Sequence, residues 1–262
     1  MSTRTEGIAG RSGLIYGVRF DFLSFDDVLI AVEEWVRRKE RKYITFTTPH
    51  VVMLSRRDEQ TKIAIAKAEL TLPDGVGITY AARLYGLGRQ ARVPGPALML
   101  YLCDKGRRSG LRHYFYGGVP GVAEVLSEKL ATLYPGLIVV GHMSPPFGDL
   151  TVGEKRQICS EINSASADVI WVGLGAPKQE KWMAENVGRI SAAAMLGVGA
   201  AFDFHSGRIC RAPSWISALG FEWIYRTCKE PRRLGRKCLD GFIFLLGVLE
   251  ERLRVLCAGN FQ

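Results

Sequence analysis

The sequence lacks the features that would place it across a membrane or in an oxidising compartment. Its six cysteines include no C-x-x-C pair, which argues against both a zinc site and a disulfide framework. No segment reaches the roughly 18 apolar residues that a membrane span requires, and the first residues contain no apolar stretch typical of a secretory signal. We therefore expect a cytoplasmic protein that neither crosses a membrane nor enters the secretory pathway.

Several motifs of nucleotide-binding proteins and hydrolases are also missing. The sequence has no G-x-x-x-x-G-K-[ST] loop and no G-x-S-x-G segment, which argues against a P-loop enzyme and against a serine hydrolase of that type. The glycine turns that start at Gly173 and Gly197 lack the third glycine of the dinucleotide fingerprint, so they support an NAD(P)-dependent oxidoreductase only weakly. Because there is no D-x-D pair and no metal-ligand spacing among the histidines, we expect no metal and no cofactor.

Acidic residues are few near the C-terminus, where the positive charge of the chain is concentrated. The net charge is +9, and residues 205–238 carry eight basic residues against two acidic ones. Such a charge indicates an anionic partner. Aromatic residues stand among the basic ones and the apolar residues 242–249 follow, a combination typical of a surface that lies on anionic lipid. A basic nucleic-acid-binding protein is an alternative, although the sequence contains no recognised nucleic-acid module, and the tail could instead pack on another subunit of a homo-oligomer.

The order of apolar segments predicts the fold. Strand-like and helix-like segments alternate over about the first two hundred residues, which is typical of α/β proteins with a Rossmann-like, doubly wound and mostly parallel sheet. We predict a first strand at residues 14–20, a helical region at residues 49–68, and a mainly helical, basic appendage at the C-terminus. The predicted division is a catalytic core of residues 1–205 and a membrane-associating appendage of residues 206–262.

Small or polar residues end four of the predicted strands, at residues 45–50, 72–75, 117–118 and 173–179. Because ligands bind at the carboxyl ends of strands in open α/β sheets, we expect these residues to lie along one edge. Pro177 suits a first helical position, and the free N–H groups of such a helix start favour a phosphate-bearing ligand. Asp74 is the candidate general base, although the pattern alone favours a turn-forming role by roughly two to one.

A series of motifs resembles the WecG/TagA/CpsF glycosyltransferases, glycosyltransferase family 26. The motifs, which occur in the same order over residues 14–240, are LPDG at residues 72–75, RVPG at 92–95, YGGVPG at 116–121, VGLGAPKQEKW at 172–182, GVGAAFDFHSG at 197–207, RAP at 211–213, EWIYR at 222–226 and EPRRL at 230–234. The resemblance implies an inverting transfer of a sugar from a UDP-sugar to a polyprenyl-diphosphate-linked sugar at the inner face of the bacterial plasma membrane.

The resemblance also implies roles for individual residues. Asp74 matches the proposed base, which would deprotonate the acceptor hydroxyl, and this reverses the preference for a turn-forming role. Arginines of the tail would stabilise the charge of the UDP leaving group in place of a metal. The residues that we expect to bind the substrates are Thr45, Thr47, His50, Gly75, Arg92, Gly117, Gly118, Gly173, Gly175, Lys178, Gln179, Arg226, Arg233 and Arg236.

One departure concerns the donor sugar. Members of this family commonly carry T-x-N at the end of the second strand, where this sequence has threonine at both Thr45 and Thr47. Since the amide is missing, the donor could be an N-acetylmannosamine-type sugar, glucose or another hexose.

Overall fold

The structure, a computed structural model, describes residues 11–88, 90–146, 148, 150–209 and 231–259. Its strands are β1 Ser12–Ile15, β2 Val18–Asp21, β3 Lys42–Thr47, β4 Leu70–Pro73, β5 Arg112–Gly117, β6 Ile138–Met143, β7 Val169–Gly173 and β8 Ala194–Gly197. Its helices are α1 Phe25–Arg38, α2 Pro49–Arg57, α3 Glu59–Ala66, α4 Val76–Leu84, α5 Gly95–Lys105, α6 Val122–Leu133, α7 Val152–Ser164, α8 Lys178–Asn186, α9 Ala201–His205 and α10 Pro231–Gly259.

Six strands form a parallel sheet in the order β4-β3-β8-β7-β5-β6. Parallel neighbours require crossover connections, and helices supply most of them. The predicted Rossmann-like α/β fold with a helical C-terminal segment is thus confirmed. Among the described residues, no helix is both long enough and apolar enough to cross a membrane.

The two faces of this sheet bury separate apolar clusters, because successive side chains of a strand point to opposite faces. Phe115 and Trp171 belong to a cluster that includes residues of α1, α5 and α6. Tyr114 and Ile170, one position earlier on the same strands, belong to a cluster that includes residues of α7 and α8. The central strand β7 is therefore buried on both sides, as its continuous apolar sequence predicts.

A third cluster joins the N-terminal hairpin to the C-terminal helix. The hairpin of β1 and β2, together with α2 and α4, packs against Phe244 and Val248 of α10, both of which are fully buried. Tyr16 lies with its ring edge against Phe244, at 5.8 Å between ring centroids. This contact fixes α10 beside α2 and α4, close to the carboxyl ends of β3 and β4.

Two predicted elements were wrong in their detail. The predicted strand at residues 14–20 is a hairpin, because Tyr16 and Gly17 both take positive φ angles of 49° and 82° and reverse the chain. The predicted helical region at residues 49–68 is divided at Asp58, whose backbone is extended and whose carboxylate accepts a hydrogen bond from the Thr61 amide. Pro177 precedes α8 rather than occupying its first helical position.

Candidate functional site

The carboxyl ends of the parallel strands form one edge of the sheet, and four of them carry predicted site residues. Hydrogen bonds connect neighbouring strand ends: the Asp74 amide donates to the Thr47 carbonyl at 3.1 Å, and the Gly118 amide donates to the Gly173 carbonyl at 3.1 Å. β4 and β5 are separated by three other strands, which puts their ends about 19 Å apart at the usual strand spacing. The predicted residues therefore share an edge but spread along it, as an extended ligand would require.

Asp74 lies at the β4 end of this edge. It directly follows β4 and is half-buried, and the next residue, Gly75, has a φ of 96° and immediately precedes α4. The Val93 amide donates to the Pro73 carbonyl at 3.1 Å, so the segment that carries the half-buried Arg92 runs beside Asp74. The residues Asp74 and Arg92 thus lie near the same strand end. A carboxylate can accept a proton there, and a guanidinium can bind phosphate.

The two threonines of β3 point to the face of the sheet that carries α8. Both are fully buried, and Thr45 Oγ1 lies 3.4 Å from Thr71 Oγ1. Thr47 Oγ1 has no hydrogen-bond partner within the described part of the chain. Since buried polar atoms are nearly always satisfied, a hydroxyl without a partner at a strand end is a candidate ligand contact.

Gln179 lies in the first turn of α8, close to the end of β8. Its Nε2 donates to the Gly197 carbonyl at 2.6 Å and to Glu180 Oε1 at 2.9 Å. Glu180 is fully buried, and burial raises its pKa to about 7, against the opposing effects of the hydrogen bond from Gln179 and the charge of Lys237. Lys178, which precedes this pair, is exposed.

Glu180 was not among the site residues predicted from the sequence. The helical period of the sequence could have indicated it. The buried residues of α8 recur on one face of the helix, and an acidic residue at such a position is unusual; they are Gln179, Glu180, Met183 and Asn186.

His50 lies in the first turn of α2 and contacts the C-terminal helix. Its Nδ1 is 2.6 Å from Asp240 Oδ2, and the Arg57 guanidinium is 2.7 Å from Asp240 Oδ1. Burial lowers the pKa of His50, with the charges of Lys237 and Arg57 acting in the same direction and Asp240 opposing them. Since a carboxylate only accepts hydrogen bonds, the Nδ1–H of His50 donates to the buried Asp240 side chain. Asp240, which joins α10 to the edge of the site, was not predicted from the sequence.

The glycine at position 117 is required by packing. Gly117 has a φ of 138°, and a Cβ there would lie 2.5 Å from the backbone of Gly173. The close approach of β5 and β7 is enough to require glycine at this position, so the residue is not evidence for a ligand. The predicted binding roles of Gly117, Gly118 and Gly173 therefore remain predictions.

The predicted arginines of the tail are only partly within the structure. Arg226 lies outside the described residues, and of Arg233 only the backbone in α10 is described. Arg236 is exposed on the first part of α10, next to Lys237. In the ranges 11–88, 90–146, 148, 150–209 and 231–259, no three His, Cys, Asp or Glu side chains are grouped to hold a metal ion.

Comparison with known proteins identifies relatives of this chain. Three curated relatives bear the name N-acetylglucosaminyldiphosphoundecaprenol N-acetyl-beta-D-mannosaminyltransferase. The Bacillus spizizenii protein is 28% identical over 74% of this chain and 74% of its own length. The Bacillus subtilis protein is 27% identical over 89% of this chain and 88% of its own length, and the Staphylococcus aureus protein is 24% identical over 92% and 94%. Residues 14–257 match the WecG/TagA/CpsF glycosyl transferase family, and the chain belongs to that family of enzymes.

Proposed function

We propose that this enzyme transfers a sugar from a UDP-sugar to a polyprenyl-diphosphate-linked sugar in the assembly of a bacterial surface polysaccharide. The observation that carries the proposal is the position of Asp74 at a strand end, beside the segment of Arg92, in a chain of this family. The names of the relatives, which state an N-acetylglucosaminyl-diphosphoundecaprenol acceptor, support the class of acceptor. Membership of the family favours this function over an oxidoreductase or a nucleic-acid-binding protein.

The proposed chemistry is a direct displacement with inversion at the anomeric carbon. The Asp74 carboxylate accepts the proton of the acceptor hydroxyl while the hydroxyl oxygen forms a bond to the anomeric carbon of the donor. The bond from that carbon to the UDP oxygen breaks, and UDP leaves with the bonding electrons. Arg92 and the arginines of the tail, Arg226, Arg233 and Arg236, would stabilise the negative charge on the diphosphate without a metal. Protonated Asp74 then loses its proton to water.

The proposed donor is an N-acetylmannosamine-type sugar, glucose or another hexose. Thr47 bears on this choice, because it provides a hydroxyl rather than an amide at the end of β3 and that hydroxyl is buried. A hydroxyl can donate one hydrogen bond and accept two, whereas an amide side chain has separate donor and acceptor atoms. The identity of the donor therefore depends on which sugar satisfies the Thr47 hydroxyl.

The outer face of α10 supports a peripheral position on the anionic inner surface of the plasma membrane. Five large apolar side chains are exposed at spacings of three and four residues along this helix, and they form the α10 stripe: Leu239, Phe242, Leu246, Leu249 and Leu253. The basic Arg236 and Lys237 stand near its start, whereas Arg252 and Arg254 near its end are balanced by Glu250 and Glu251. An apolar stripe with flanking positive charge is typical of a helix that lies in the plane of a membrane surface.

The test of this function is an assay of transfer to short-chain polyprenyl-diphosphate N-acetylglucosamine with a panel of UDP-sugars, in which the product is identified by its mass. The proposal expects the acceptor to gain the mass of one hexose or N-acetylhexosamine with one member of the panel, and UDP to be released in equal amount. Binding of NADH with no binding of UDP would contradict it and favour an oxidoreductase.

A further inference from the structure

Buried polar atoms without a partner are concentrated near the ends of β3 and β8. Within the described residues, four buried side-chain atoms have no hydrogen-bond partner, and three of them are Thr47 Oγ1, Gln179 Oε1 and Glu180 Oε2. Gln179 and Glu180 are consecutive, and Gly197, to which Gln179 binds, is aligned with Thr45 of β3. Native proteins leave few such atoms unsatisfied, so a group of them marks a place where a ligand or water completes the hydrogen bonds.

The contacts of Gln179 fix the orientation of its amide. Nε2 has two N–H groups, and the two acceptors that it contacts are the Gly197 carbonyl and the Glu180 carboxyl group. If the amide were flipped, Oε1 would face these acceptors and would be repelled by them. Oε1 is therefore held on the opposite side, towards Gly199, where a Cβ would be only 3.3 Å away. Gly199 and Gly175 are both half-buried and have no side chains, so only their backbone lies on this side of the buried oxygen.

We propose that Glu180 is a positioning residue for substrate binding, because it holds the Gln179 amide with its carbonyl oxygen directed towards Gly199, where the backbone of Gly175 also approaches. The oxygen accepts a hydrogen bond there from a hydroxyl or imide N–H of the UDP-sugar. This inference rests on the proposed function and assigns to Glu180 a role that acts only through Gln179.

The surroundings of Glu180 fit this role. Tyr43 on β3 is close enough for the two groups to affect each other electrostatically, but its hydroxyl donates to the Ala64 carbonyl. The positive charge of Lys237 on α10 favours the ionised carboxylate against the effect of burial. The carboxyl group keeps an oxygen that accepts from the Gln179 N–H in both its neutral and its ionised form. A purely structural function is poorly served by a buried carboxyl group, since an apolar side chain of similar size would cost less to bury.

The test compares Glu180→Gln, Glu180→Leu, Gln179→Ala and the double variant Gln179→Ala with Glu180→Leu. Glu180→Gln keeps a carbonyl oxygen that can accept from Gln179, and we expect its KM for the UDP-sugar to stay within about threefold of wild type. Glu180→Leu removes the acceptor, and we expect KM to rise about tenfold with a smaller change in kcat, as the loss of one hydrogen bond predicts. Calorimetry with UDP alone shows which part of the donor is bound: a matching loss of UDP affinity assigns the contact to the nucleotide, and unchanged affinity assigns it to the sugar.

The double variant provides the decisive comparison. If Glu180 acts through Gln179, then Glu180→Leu has no further effect on KM in the Gln179→Ala background. Additive effects, or a Glu180→Leu enzyme with the KM of wild type, would overturn the inference. Thermal unfolding monitors the fold of each variant, and rescue by Glu180→Gln separates positioning from a general loss of structure. A wild-type enzyme that transfers sugar from no UDP-sugar would instead overturn the proposed function, and the inference with it.

Discussion

Replacing Asp240 by alanine should loosen the C-terminal helix from the core. Asp240 is 1% exposed and has two partners across the interface: it accepts a hydrogen bond from His50 at 2.6 Å and forms an ion pair with Arg57 at 2.7 Å. The hydrogen bond from the half-buried His50 to this buried carboxylate is worth about 2 kcal/mol. The Arg57 side chain is 45% exposed, so its bond contributes under about 1 kcal/mol because water screens it. We expect Asp240→Ala to lower the free energy of unfolding by about 3 kcal/mol.

The matched control for this change is Glu250→Ala on the same helix. Glu250 pairs with Arg254, but both side chains are well exposed, at 64% and 79%. Breaking this pair should cost less than about 0.5 kcal/mol. Urea unfolding measures the two free energies, and hydrogen exchange of the α10 amides shows whether the loss is local to the helix. An Asp240→Ala protein within about 0.5 kcal/mol of Glu250→Ala would refute the reasoning.

Three further predictions concern buried groups and the outer face of α10. Burial lowers the pKa of His113, on β5, to about 4. Between about pH 6.5 and 4 the unfolded chain therefore binds a proton that the folded chain does not, and the free energy of unfolding falls as the pH falls. His113→Phe should reduce this loss by about 3 kcal/mol, as measured by urea unfolding at each pH. Burial raises the pKa of Glu180 to about 7. Its contribution to stability is therefore complete below about pH 4.5 and is lost as the pH rises to 7. Glu180→Gln should remove about 3 kcal/mol of that decline, and an unchanged dependence of unfolding free energy on pH would contradict this prediction. Changing both Phe242 and Leu246 to serine should abolish flotation with anionic liposomes. The melting temperature should stay within a few degrees of wild type, since both side chains are exposed. Unchanged flotation together with a smaller oligomer in gel filtration would assign the α10 stripe to another subunit.

Local signals in the sequence predicted most of the sheet and its helices. The start of α1 depends on a capping box between Ser24 and Asp27, and that of α7 on another between Thr151 and Glu154. These interactions join residues three positions apart, so the sequence pattern contains them. The hairpin turn was missed because Tyr16, a non-glycine residue, takes a positive φ there. Nothing in its identity indicates that conformation.

The parts of the site that could not be predicted depend on contacts between distant residues. His50 and Asp240 are 190 positions apart, and their hydrogen bond exists only because Phe244 and Val248 hold α10 against the core. A histidine after two threonines was recognised as a candidate site residue, but its partner was not, because no pattern connects the two segments. The sequence thus indicated which strand ends carry polar residues, whereas the orientation of each side chain depends on packing across the sheet.

The measurement that tests the central claim most directly compares wild type with Asp74→Asn in the transfer assay. Removal of a general base should lower turnover by about 100- to 10,000-fold, whereas the affinity for UDP, measured by calorimetry, should be nearly unchanged because the substitution removes a charge but keeps the size of the side chain. The account predicts a lipid-linked product one sugar heavier with wild type and essentially none with Asp74→Asn. An Asp74→Asn enzyme with nearly wild-type turnover would contradict it.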